Sequence, residues 1–172
     1  NGFTDLINIG NILIEILQKK NKILFCGNGG SCSDAQHIAA ELLVQFRKNN
    51  PRKAIPGIAL SLDSSTMTAC ANDLGYKFIF SRAIEAIGRP NDCLFILSTS
   101  GNSPNILEAA KKAKDMGLIV ISFLGNKNSL VDDFSDYIFR AQSEVTAIIQ
   151  EIHITAAHAL VEYIEEKINF NL

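Results

Sequence analysis

His37 and Glu41 stand four residues apart, so a helix would set them on one face, one turn from each other. Gln150 and His158 are eight apart, a little over two turns, and fall within one broad face of a second helix. Imidazole and carboxylate ligands suit Zn²⁺, although a glutamine ligand is unusual; a metal site could draw His37 and Glu41 from one helix and Gln150 and His158 from the other. Each half also has an ordinary reading. A His/Glu pair at this spacing is common on a solvated helix surface. A histidine in an apolar helix, as His153 and His158 both are, is more often a satisfied core residue than a ligand.

Two loops of small residues could supply the rest of a reaction centre. Gly27, Asn28, Gly29, Gly30 and Ser31 follow the apolar run Ile23 to Cys26 and lead into the helix that carries His37. Glycines there let a ligand approach the main chain closely. Ser31 or Ser33 is expected to cap the helix, with Asp34 in its first turn. Free N–H groups and the positive end of a helix dipole would then meet at one spot, which suits a phosphate. The loop fits neither the dinucleotide nor the Walker pattern, and by itself it also reads as a tight turn. The second loop, Ser98, Thr99, Ser100, Gly101, Asn102 and Ser103, follows the run Cys93 to Leu97 and precedes Pro104 at a helix start. Its four hydroxyls exceed what one cap uses, which favours a phosphate seat over a plain capped turn. Asn72 and Asp73 read as turn chemistry or as a ligand contact, and composition favours the turn.

The elements that must position these residues alternate. Helical apolar patterns cover Phe3 to Lys20, the stretch after the glycine loop to about Arg47, Thr66 to Ala71, Tyr76 to Gly88, Asn105 to Met116 and Thr146 to Lys167. Short apolar runs at Ile23 to Cys26, Ile58 to Leu60, Cys93 to Leu97, Leu118 to Leu124 and Tyr137 to Phe139 read as strands. This order predicts an α/β three-layer sandwich, a mostly parallel central sheet flanked by helices, with both loops opening at the carboxyl edge of the sheet. With 172 residues, 47% hydrophobic and 20% charged, and a net charge of −2, the chain has the make-up of one soluble domain with no basic surface for nucleic acid. No apolar run has the length of a membrane span. The four cysteines, Cys26, Cys32, Cys70 and Cys93, lack metal spacing and point to a reducing, cytoplasmic compartment.

Taken together, Cys26–Glu41, the Asn72-Asp73 turn, Ser98–Asn105 and Ile149–His158 resemble the phosphoheptose isomerases, the sedoheptulose 7-phosphate isomerases of the sugar isomerase (SIS) fold. The likeness runs from Leu6 to about Ile168. It implies one SIS domain over 1–172, with an N-terminal helix at 3–20 and part of a further helical segment expected upstream of Asn1. It also implies a cytoplasmic homotetramer with active sites built between subunits, bound to no nucleic acid or membrane. The activity it implies converts D-sedoheptulose 7-phosphate to D-glycero-D-manno-heptose 7-phosphate, the first step towards ADP-heptose for the lipopolysaccharide inner core. By position, Ser98, Thr99, Ser100 and Ser103 would hold the phosphate. Asn28, Gly29, Gly30, Ser31, Asn72, Asp73, Glu41 and Gln150 would line the sugar. His37, Glu41, Gln150 and His158 would hold one Zn²⁺ per subunit, with Glu41 as base and His158 as acid. Gln45 and Ile148 stand where the resemblance leads one to expect arginine. A relative on the same scaffold, the DnaA initiator-associating protein, acts through protein–protein contact. That pattern lacks the helix glutamate and the final histidine, so Glu41 and His158 favour the enzyme. A sugar-phosphate sensor that binds without turnover is the third reading.

Overall fold

Alternation of apolar side chains along five short strands decides the layers. Phe25, Phe95, Leu97, Ile121, Phe123 and Phe139 point to one face, whereas Leu24, Leu94, Ile96, Val120 and Leu124 point to the other. In the computed structural model, which describes residues 2–61 and 63–168, these strands are β1 (Ile23–Gly27), β2 (Gly57–Ala59), β3 (Cys93–Ser98), β4 (Ile119–Leu124) and β5 (Tyr137–Arg140). Asn1, Leu62 and residues 169–172 of the expected domain lie outside the described residues. All strand pairs are parallel, in the order β2-β1-β3-β4-β5. A parallel sheet must be covered on both faces. Helices α1 (Gly2–Gln18), α2 (Gly30–Leu43) and α6 (Thr146–Lys167) cover one; α3 (Ser64–Asp73), α4 (Ile79–Ile87) and α5 (Pro104–Asp115) cover the other. The expected three-layer α/β sandwich is therefore the observed one.

The first face is held by a row of rings that crosses four strands. Phe25, Phe95, Phe123 and Phe139 follow one another with centroid spacings of 5.3, 4.8 and 4.7 Å. Each buried ring contributes about 2–3 kcal/mol of apolar burial. The chain leaves β1 towards β2 on one side and β3 towards β4 on the other, so the crevice between the loops after β1 and β3 is the switch point of the sheet.

Several boundaries differ from the sequence reading. The first helix ends at Gln18 rather than Lys20, because Lys20 takes φ 63°. The N–H of Asn21 then bonds to the carbonyl of Ile16, and that of Lys20 to Leu17, which closes the helix end. Neither Ser31 nor Ser33 caps α2; Gly29 holds that place with φ 56° and makes no side-chain cap bond. Ser31 sits instead inside the first turn and is buried. The same helix stops at Leu43, short of Arg47. Asn72 and Asp73 are not a turn but the last two residues of α3, whose start is capped by Asp63 accepting from Ser65 N–H. The stretch from Tyr76 to Gly88 divides into a 3₁₀ turn, Tyr76–Phe78, and α4.

Candidate active site

Helices α2 and α6 run side by side in the same direction, and this pairing assembles the cluster. Gln150 meets Gly30 at the start of α2, His158 meets His37 near its middle, and Glu165 meets Phe46 and Arg47 just past its end. His37 Nε2 lies 3.2 Å from Glu41 Oε1 and 3.3 Å from His158 Nε2. The edge of a zinc tetrahedron with bonds of about 2.0–2.1 Å is about 3.3–3.4 Å, so both separations fit ligands that share one ion. The three ligand atoms lie within 4.8 Å of one another. The His37 and His158 rings meet edge to face at 4.9 Å, and Phe46 packs on His158 at 5.6 Å. Asp34, one turn before His37, has a buried Oδ2 without a hydrogen-bond partner among the described residues. Burial pushes its carboxyl up, while His37 and His158 draw it down. The expected ligands His37, Glu41 and His158 are thus brought together. The Gln150 amide is set against Gly30, within 2.6–2.8 Å of where a Cβ there would stand. Gly30 is seven residues, or about 10 Å, up the helix from His37.

The two loops face each other across the switch point. Asn28, after β1, and Asn105, in the first turn of α5, exchange two side-chain hydrogen bonds of 2.9 and 2.8 Å, each Nδ2 donating to the other's Oδ1. Tyr76 Oη also donates to Asn28 Oδ1, which brings the segment after Asn72 and Asp73 over the glycine loop. Asn72 and Asp73 are exposed, with the amide of the first donating to the second. In the hydroxyl loop, Ser98 Oγ accepts from Gly101 N–H and Ser100 Oγ from Asn102 N–H. Ser103 is the N-cap of α5 yet makes no side-chain cap bond; Pro104 has no N–H and the Ser103 carbonyl takes those of Ile106 and Leu107, so the Ser103 hydroxyl and the Asn105 N–H remain for a ligand. Thr99 and Ser100 line a cavity of about 270 Å³ together with Asn102, Lys127, Ser143 and Glu144. Lys127 pairs with Glu144 at 2.9 Å on its rim. Gln45 is half-buried and Ile148 exposed where arginines were expected; the cation lining the hydroxyl-loop cavity is Lys127.

The chain is similar to known proteins in sequence and in fold. The SIS domain family model matches residues 3–125. A phosphoheptose isomerase from Campylobacter jejuni is 47% identical over 157 residues, which cover 91% of this chain and 83% of that protein. The structure of a phosphoheptose isomerase from Francisella tularensis superposes with a TM-score of 0.91 at 34% identity, covering 95% of this chain and 86% of the other. One from Neisseria gonorrhoeae gives 0.87 at 35% identity, with the same coverage. The chain belongs to the phosphoheptose isomerase family of SIS-domain proteins.

Within this phosphoheptose isomerase fold, two neighbours of the site were not singled out by the sequence reading. Asn105 lay inside the quoted motif, but its partner is 77 residues away. Asp34 was read only as a favourable first-turn charge. No helix among the described residues is long and apolar enough to cross a membrane.

Proposed function

We propose that the chain is an aldose–ketose isomerase acting on D-sedoheptulose 7-phosphate, forming D-glycero-D-manno-heptose 7-phosphate as the entry to ADP-heptose and the lipopolysaccharide inner core. The observation that carries this reading is the meeting of Glu41 and His158 at His37, the two histidines being 121 residues apart in sequence. Aldose–ketose exchange moves a proton between neighbouring carbons through an enediol. It needs a base at carbon and a proton shuttle at oxygen. Glu41 takes the carbon-bound proton and His158 moves protons on the sugar oxygens. Ser98, Thr99, Ser100 and Ser103 hold the phosphate with the Asn105 N–H at the start of α5. Asn28, Gly29, Gly30, Ser31, Asn72, Asp73 and Gln150 orient the open-chain sugar across the switch point. His37, Glu41 and His158 would hold one Zn²⁺; Gln150, the fourth donor that the resemblance implies, has its amide at Gly30, up the helix from His37, where it faces the sugar. Such an ion polarises a carbonyl and stabilises the charge that develops on its oxygen.

The same reading makes the whole chain one SIS domain in a cytoplasmic homotetramer. Exposed Phe3 and Ile7 on α1, and Leu43 and Val44 at the end of α2, support burial against other subunits. Three buried free thiols, Cys26, Cys70 and Cys93, support a reducing compartment. The test is turnover of sedoheptulose 7-phosphate by purified protein after chelation, with and without added Zn²⁺. Isomerisation restored by zinc is expected. A folded, zinc-loaded tetramer that leaves the sugar unchanged would overturn the activity.

A further inference from the structure

A buried ion pair stands beyond the end of α2, outside the residues so far given a role. Arg52 and Glu165 have side chains only 7% and 1% exposed, and Arg52 Nε lies 2.7 Å from Glu165 Oε1. The rest of the guanidinium reaches α2: Nη2 donates to the Glu41 carbonyl at 2.7 Å and Nη1 to the Leu42 carbonyl at 2.8 Å, with a longer bond from Nη1 to the Lys53 carbonyl at 3.1 Å. These carbonyls lie in the last turn, where a helix lacks its own donors. The carboxylate in turn accepts from Phe46 N–H at 2.7 Å and Arg47 N–H at 3.2 Å. One planar fork therefore joins the end of α2 to α6, two turns beyond His158.

Both ends of the metal-type cluster depend on this joint. Glu41 faces His37 with its carboxylate, while its own backbone oxygen is gripped by Arg52. His158 packs against the Phe46 ring, and the Phe46 N–H is gripped by Glu165. We propose that Arg52 and Glu165 are positioning residues whose buried pair fixes the separation of Glu41 and His37 on α2 from His158 on α6, and so sets metal affinity and turnover. The proposal rests on the zinc isomerase reading above.

Arg52→Lys is the informative change. It keeps the charge beside Glu165 but loses the fork that reaches the Glu41 and Leu42 carbonyls at the same time. Zn²⁺ affinity is measured by competition with a chromophoric chelator on metal-stripped protein. Circular dichroism and a thermal melt establish folding, and kcat and KM are measured separately. The expected result is a loss of about 10- to 100-fold in Zn²⁺ affinity and in kcat, the range seen for partners behind metal ligands, with KM changed less than about threefold. Glu165→Gln keeps an acceptor for Phe46 and Arg47 but no charge for Arg52; it should show the same pattern and carries the test if Arg52→Lys does not fold. Wild-type Zn²⁺ affinity and kcat in the folded variant would overturn the proposal. A wild-type protein that binds Zn²⁺ but leaves the sugar unchanged overturns the activity alone, and the affinity ratio still decides the joint. A wild-type protein that binds no Zn²⁺ overturns both.

Discussion

The two edges of the parallel sheet differ in how their polar groups are satisfied. At the amino edge, Asp92 is buried and fully engaged. It accepts from Lys22 N–H at 3.0 Å, Lys22 Nζ at 2.5 Å, Asn21 Nδ2 at 3.2 Å and Arg89 N–H at 2.8 Å. Burial acts to raise its carboxyl, but the bonds from Lys22, Asn21 and Arg89 outweigh it and hold the group below the usual carboxylate range. At the carboxyl edge, α2 and α5 begin without side-chain caps. Nearby on α2, Asp34 Oδ2 is buried without a partner among the described residues, and burial pushes its carboxyl up. An edge that satisfies its own groups contributes stability. An edge that leaves donors and acceptors open has them free for a ligand, at a cost to the empty fold.

This contrast can be broken from either side. Glu41→Gln should lower kcat by about 10³-fold, the scale of a lost general base, while phosphate still binds the hydroxyl loop. Steady-state kinetics together with inorganic phosphate competition check this, and full activity would remove Glu41 from the mechanism. Asp92→Ala should cost about 3–5 kcal/mol, because Lys22 loses a buried partner, with little change in kcat for the protein that remains folded. Urea melts and kinetics on one preparation separate the two effects. Ser100→Ala should weaken apparent substrate affinity about tenfold with kcat nearly unchanged, the scale of one hydrogen bond to a charged group. An unchanged KM would count against the phosphate seat.

The smallest effect is one of pH. His153 is buried, its Nε2 bonded to the Leu124 carbonyl and its Nδ1 without a partner among the described residues. Burial holds its pKa below the ordinary value of 6.5, against a smaller opposing effect of the Leu124 bond. The unfolded chain therefore takes up a proton near that value while the folded one does not. Stability should fall as pH drops below it, by at most about 1.4 kcal/mol per pH unit. Asp92 and Glu165 are both held low when folded, so their contribution is present above the unfolded carboxylate range and is lost as pH falls through their folded values. Urea midpoints across this pH range should show two declines, and His153→Gln should remove the upper one alone.

Much of this was legible in sequence because it is local. Helix α6 has the bounds that its apolar pattern predicts, Thr146–Lys167, and both special loops follow strands as read. The failures lie where a local preference did not decide the outcome. A serine cap for α2 was expected because hydroxyls favour that place, but a glycine with positive φ started the helix earlier. Asn72 and Asp73 have turn composition, yet α3 continues through them. Helix propensity is a weak prior that packing overrides.

The sequence by itself determined where the strands fall as continuous apolar runs, where the glycine and hydroxyl loops fall, and that His37 and Glu41 share a helical face. These depend on short apolar runs and on the period of 3.6 residues, which the order of side chains carries directly. Only the tertiary structure decided that α2 and α6 run in register, so that His158 stands 3.3 Å from His37, that Asn28 pairs with Asn105, and that Arg52 reaches both Glu41 and Glu165. Those meetings join residues 77 to 121 positions apart, except for the Arg52 carbonyl contact, which spans a connection without periodicity. They follow from how the helices pack on a twisted sheet, and spacing along the chain does not encode a distance of that kind.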